Sequence, residues 1–277
     1  MSWRFFIFHL FFSLLISRFS FLFSTFAPML VKTEAIVLHS FKYGETRMIV
    51  EVFSRETGRL SLIATLPKTQ KGRLKKQYFQ PMTLLEITFD YRQQIQLQHL
   101  KDAHLLTAWA SIPFTPEKLA LSLFSAEFLY HALRSEQQNE PLFVYVCDSL
   151  QWLDTVETGY ANFHLTFLMR LSRFLGFYPN LDVQGEQQAI NENALMFDLR
   201  EGRFCTEAPL HRDFLKPSEA SLIQLLMRMD FPTMHLYRLS HHDRNRIVEV
   251  LLQYYRLHIP QFPELKSLSV LQELWST

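Results

Sequence analysis

The sequence predicts an α+β chain in which a small closed barrel of five strands is followed by a helical domain. Three observations carry this. Five short segments within about 70 residues follow the period-two pattern of half-buried strands. The pattern then changes to a helical period after Pro113. Charge also divides unevenly: residues 29–110 hold 12 Lys+Arg against 7 Asp+Glu, whereas residues 111–277 hold 14 against 20. A basic front and an acidic back usually mean that one part faces a polyanion while the other does something else.

The predicted strands are 33–39, 48–53, 60–66, 83–91 and 94–100. In the last, Gln94, Gln96 and Gln98 alternate with Ile95, Leu97 and His99. Between the second and third lies Ser54-Arg55-Glu56-Thr57-Gly58-Arg59, a hairpin loop with glycine where a positive φ is needed. Five strands of this length with a basic surface point to an OB-fold over residues 29–110, which holds single-stranded nucleic acid on its strand 2–3 face and loops.

The remaining residues, 111–277, read as helical. Predicted helices span 117–133, 142–155, 160–177, 218–229 and 243–258, the third with Phe163, Phe167, Leu168, Leu171, Phe174 and Leu175 on one stripe. Gly176 and Pro179 end it, and Asp243 is the expected N-cap of the last helix. An insert at about 180–215 interrupts this pattern. Within it, 194–197 and 203–205 form a small hairpin across Arg200-Glu201-Gly202.

The first 28 residues form a Phe-rich run broken by His9 and Arg18. A signal peptide would show a small-residue exit before Pro28, and none is clean. A spanning helix would carry Arg18 at roughly 2.5 to 3.5 kcal/mol near the bilayer centre. The reading preferred here is that the native protein starts at Met29 and 1–28 is not part of it. Without that leader no membrane association is expected, and a membrane-tethered interaction protein is the alternative function.

The chemistry concentrates in PKTQKGRLKKQYFQPM, residues 67–82. Lys68, Lys71, Arg73, Lys75 and Lys76 fall within nine residues without an acid, and Tyr78 and Phe79 follow directly. Lysine-rich loops are most often solvated surface, but cations interleaved with aromatics are what a single strand requires: phosphate neutralisation and stacking faces. Tyr78, and Tyr43 in the first turn, are the expected stacking residues, with Arg47, Arg55 and Arg59 extending the path. Adjacent Tyr78 and Phe79 should face opposite ways, Phe79 inward.

No phosphate-binding glycine loop, nucleophile elbow or zinc-protease motif occurs, so an enzyme is not expected. Cys147 and Cys205 are too few and too far apart for a disulfide framework or four-ligand zinc site, and suit a reducing compartment. His241-His242-Asp243 reads as helix capping rather than a metal cluster. No metal or cofactor is expected.

The chain resembles the RecO family of bacterial recombination mediators. The resemblance rests on LVKTEAIVLHSFKYGET (30–46), the basic stretch running into YFQPMTLLEI (78–87), SAEFLYHAL (125–133) with NEPLFVYVCDSL after it, and MRLSRFLGFYPNL (169–181). Order and spacing carry it across residues 29–277, not any single motif. Many members of the family bear paired cysteines for zinc in the insert, where this chain offers only Cys205. What the resemblance implies is a non-enzymatic, cytoplasmic, nucleoid-associated DNA-repair role: binding single-stranded DNA and its coating protein SSB, partnering RecR, helping RecA load, and annealing strands. An acidic SSB tail with an apolar terminus would need a hydrophobic pocket rimmed by cations, for which Arg170, Arg173 and Phe174 are the candidates.

Overall fold

The computed structural model describes residues 29–67, 74–92, 94–181 and 195–274. Five strands, β1 (Met29–Tyr43), β2 (Arg47–Ser54), β3 (Gly58–Thr65), β4 (Leu84–Tyr91) and β5 (Leu97–Leu105), close into a barrel of order β1-β2-β3-β5-β4, the order of an OB-fold. All pairings are antiparallel except β3 with β5. Alternate residues fill the interior, among them Val50, Val52, Leu62, Leu85, Ile87 and Phe89. Gly58 ends the β2–β3 turn at φ +71°, and a Cβ there would meet the Gln137 backbone at 2.4 Å, so both space and conformation require glycine.

The fifth strand differs from expectation. Gln94, Ile95 and Gln96 lie before it and are exposed, and within it Gln98 faces inward at 3 % exposure. Burial of that amide is offset by hydrogen bonds: it accepts from the Arg92 N–H at 3.0 Å and donates to the Arg92 carbonyl at 2.8 Å. The polar members of a regular alternation had suggested the outward face, but a local hydrogen-bonded turn turned one of them in.

The long strand β1 serves two cores. Ala35 and Val37 face the barrel interior, whereas Ile36 and Leu38 belong to the core of the helical part. Its pairing with β2 passes from Val37↔Val52 to His39↔Glu51, so Leu38 is an extra, bulged residue. Beyond it the parity changes, and His39, Phe41 and Tyr43 turn outward and are exposed.

Among the described residues six helices follow: α1 (Pro116–Ala132), α2 (Glu140–Thr155), α3 (Phe163–Phe174), α4 (Pro217–Arg228), α5 (His241–His258) and α6 (Ser267–Glu273). The third helix, expected over 160–177, is shorter and coincides with its apolar stripe. The N-cap of α5 is Ser240, with Asp243 as the reciprocal partner of a capping box, which corrects the assignment of Asp243 as cap. The short α6 was not anticipated; Glu127 holds its start, accepting from the backbone N–H of Lys266 and Ser267. The insert hairpin, β6 (Met196–Asp198) with β7 (Arg203–Cys205), gains a third strand, β8 (Phe214–Leu215). Ala194 lies outside the described residues, as do 1–28 and with them the leader. Among the described residues no helix is long and apolar enough to cross a membrane.

The connection from barrel to helices is clamped by Asp154 at the end of α2. Its carboxylate accepts from the backbone N–H of Ala110, Ser111 and Ile112 at 2.8 to 2.9 Å. Buried Lys118 closes the arrangement, donating to Ser111 Oγ and to the carbonyls of Asp154 and Val156. Burial alone would push the Asp154 pKa up, but the three N–H donors and Ser111 together hold it below its ordinary value. A depressed folded pKa means that the stabilisation is present above the ordinary carboxylate value near 3.9 and is lost as pH falls through the folded value. Asp154→Ala, which strands three donors, is expected to cost about 3 kcal/mol at neutral pH. Urea melts should show that deficit shrinking as pH falls from the ordinary carboxylate value through the lower folded one, below which the wild-type carboxylate is itself protonated.

Candidate nucleic-acid interface

One end of the barrel gathers most of the predicted cations that lie among the described residues. Tyr43 and Arg47 face each other across the β1–β2 turn, whose Gly44 has φ +74°, and Arg47 pairs in turn with Thr65 of β3. The chain leaving β3 stays there, with the Leu66 N–H donating to the Thr46 carbonyl at 2.7 Å. It returns through a 3₁₀ turn, Lys76–Phe79, fastened to β1 by Ser40 Oγ donating to the Phe79 carbonyl at 2.7 Å. Lys68, Lys71 and Arg73 fall between these two anchored points and outside the described residues.

Phe79 is inside, at 1 % exposure, and Tyr78 is half-buried with the Lys75 ammonium 5.9 Å from its ring centroid. The two rings diverge, as expected, although in a helical turn and not an extended chain. Lys42, Tyr43, Arg47, Lys75 and Lys76 are all exposed. Among the described residues none of these four cations meets a carboxylate.

Arg55 and Arg59 are placed differently. Arg55 bridges Glu34 of β1 at 2.7 Å and Glu140 of α2 at 2.9 Å, and lies over the Phe143 ring. Arg59 pairs with Glu51 at 2.8 Å, with side-chain exposures of 11 % and 14 %, and stacks on Tyr130 of α1. Burial lowers the Arg59 pKa in spite of Glu51. Both guanidiniums reach from the barrel to the helices, Arg55 to Glu140 and Phe143 and Arg59 to Tyr130, a use that sequence could not reveal because those contacts are distant in the chain.

Arg170 and Arg173 leave α3 on one side. Arg170 donates through Nε and Nη2 to the Met229 carbonyl at 3.0 and 2.8 Å, satisfying the end of α4. Arg173 is exposed and lies over Tyr178 at 4.5 Å. Phe174 stacks on Tyr145 at 4.9 Å, in a row of rings that continues through Phe231 to Trp152.

Two family models match the chain, one described as Recombination protein O N terminal over residues 29–109 and one as Recombination protein O C terminal over residues 113–269. The chain belongs to the RecO family. Its relatives include proteins named DNA repair protein RecO from Phocaeicola vulgatus, 46 % identical over 248 residues that span 90 % of this chain and all of the relative. The same name and 46 % identity apply to a protein of Bacteroides fragilis, over 89 % of this chain and all of the relative. A Christiangramia forsetii relative of that name is 34 % identical over 248 residues, again its whole length.

Within this chain the described part of the insert is held by packing. Phe197 and Phe204 are buried with centroids 4.9 Å apart, and Phe197 meets Tyr254 of α5 at 5.8 Å. Asp198 accepts from the backbone N–H of Arg200 and Glu201 and faces His211 Nε2 at 3.3 Å. Among the described residues no group of three or more His, Cys, Asp or Glu could hold a metal ion. Elemental analysis of untagged protein is expected to find well under one zinc per chain, and stoichiometric zinc surviving dialysis would overturn this account.

Proposed function

We propose that this chain is a recombination mediator in DNA repair that binds single-stranded DNA at the turn end of its barrel. The supporting observation is the grouping there of exposed cations without carboxylate partners among the described residues, beside the rings of Tyr43 and Tyr78. Lys68, Lys71, Arg73, Lys75, Lys76 and Arg47 are assigned to phosphates, and Tyr78 and Tyr43 to bases. Arg55 and Arg59, matched by Glu34, Glu140 and Glu51, set the barrel's position instead. Family membership supports the rest of the proposal: SSB and RecR as partners, assistance to RecA loading, strand annealing, and a nucleoid-associated cytoplasmic location. No catalytic step is assigned.

Binding of labelled single-stranded DNA across a salt series tests the reading. Changing Lys71, Arg73, Lys75 and Lys76 together to Ala should flatten the slope of log K against log salt by about 0.7 per contact, roughly 2 to 3 units in all. Tyr78→Ala should instead cost about 1 to 3 kcal/mol with the slope nearly intact. A fourfold variant that keeps wild-type affinity and slope while folded would remove this surface from the function.

The SSB tail is assigned to Arg173, Arg170 and Phe174, where half-buried rings lie beside two cations. Arg173→Ala is the cleaner probe, because Arg170 also holds the end of α4. Calorimetry with a tail peptide should show weaker binding by Arg173→Ala, and weaker still by the Arg170→Ala, Arg173→Ala pair. Unchanged affinity would place the tail elsewhere.

A further inference from the structure

We propose that the single-stranded track continues from the barrel tip along the outer side of β1 into the cleft between the barrel and α1, with Phe41 and His39 as stacking faces and Lys266 as the distal phosphate contact. This rests on the nucleic-acid reading of the tip and extends it to residues not among the predicted contacts.

The bulge at Leu38 is the origin. By reversing the parity of β1 it aligns His39, Phe41 and Tyr43 on the outer side, each about 6.7 Å beyond the last along the strand. Tyr43 is 52 % and Phe41 43 % exposed, although the parity that fills the barrel would have hidden them. A column of exposed rings at regular spacing, beginning beside exposed cations that lack carboxylate partners among the described residues, is what successive bases require. The column does not stop at the barrel. His39 lies 6.0 Å from Phe41 and 5.1 Å from Tyr130 of α1.

There the surface sinks into a cleft of about 530 Å³, floored by Leu38, Pro81, Leu123 and Tyr130. The volume suits a small organic group and the floor is apolar, as a base would need. Its carboxylate, Glu127, is turned to the start of α6 and receives hydrogen bonds from Lys266 N, Ser267 N and Ser267 Oγ. Lys266 on the rim is exposed and, among the described residues, its ammonium pairs with no carboxylate. On the barrel side Glu51, which pairs across from His39, is neutralised by Arg59 and accepts a hydrogen bond from Ser61 Oγ. The path is thus aromatic and apolar along its length and cationic at both ends.

Fluorescence anisotropy with labelled oligothymidylates of about 4 to 16 nucleotides, the range of OB-fold site sizes, tests this. Wild-type affinity should climb with length beyond what the tip alone can hold. Phe41→Ala should weaken binding of the longer oligonucleotides by about 5- to 150-fold, as loss of one stacked base predicts, and leave the shortest unaffected. Phe41→Tyr should bind as wild type. Lys266→Ala should flatten the salt slope by about 0.7 for the long oligonucleotides only. Because both side chains are exposed, circular dichroism and melting should be unchanged. Absence of binding by wild type at any length would overturn the nucleic-acid reading itself. Wild-type binding that neither Phe41→Ala nor Lys266→Ala alters at any length would overturn the track and leave the tip in place.

Discussion

The structure depends on one strand being shared by two cores. Up to Leu38, β1 gives one side to the barrel through Ala35 and Val37 and the other to the helices through Ile36 and Leu38. All four are at most 1 % exposed, so the strand is apolar on both faces here, unlike an ordinary barrel strand. A shift of one residue would exchange the two sets, driving barrel residues against helices and the reverse. The bulge performs that shift deliberately and at one place, where the helical cover ends. Past it the same strand presents rings to solvent, so the irregularity that completes the packing also builds the proposed binding side.

Electrostatics divides along the same line. At the junction the cations are matched: Arg55 by Glu34 and Glu140, Arg59 by Glu51, each guanidinium also lying over a ring. Arg59 is too deeply placed to leave its partner without stranding a buried charge, which is costly. At the tip, Lys42, Arg47, Lys75 and Lys76 are exposed and lack carboxylate partners among the described residues. Water stabilises such charges in the free protein, and their mutual repulsion is relieved by a polyanion. Matched cations hold the fold in place and unmatched ones remain available to a ligand.

What the sequence made legible follows from the range of the forces involved. Strands whose alternation is set by one buried face were found within a few residues, and so were five helices, because periodicity is local. The misses concern a local turn, element ends or partners on other elements. Gln98 is inward because Arg92 supplies its partners, Ser240 displaced Asp243 as cap because the two residues cap reciprocally, and α6 starts where Glu127, far back in the chain, meets its N–H groups. Arg55 and Arg59 were read as surface cations for the same reason: their carboxylates lie on other elements. The aromatic column could not be seen, since alternation read straight through β1 hides a parity change at Leu38.

The insert shows how a small sheet can be secured through a neighbouring helix. Its three strands are two or three residues long, too short to be stable by themselves. They persist because Phe197, packed on Phe204, meets Tyr254 of α5 and because Gly202, at φ +63°, lets the turn close on Tyr254, whose hydroxyl would lie 2.6 Å from any Cβ placed there. That hydroxyl donates to the Phe177 carbonyl at 2.5 Å, and the Asn180 N–H donates to the Gly202 carbonyl at 2.8 Å. Tyr254 therefore links α5, the chain after α3 and the hairpin at one point. A metal cluster would fasten the strands to one another, whereas this arrangement fastens them to the helical core, so the hairpin's order is coupled to that of α5 and of the chain after α3.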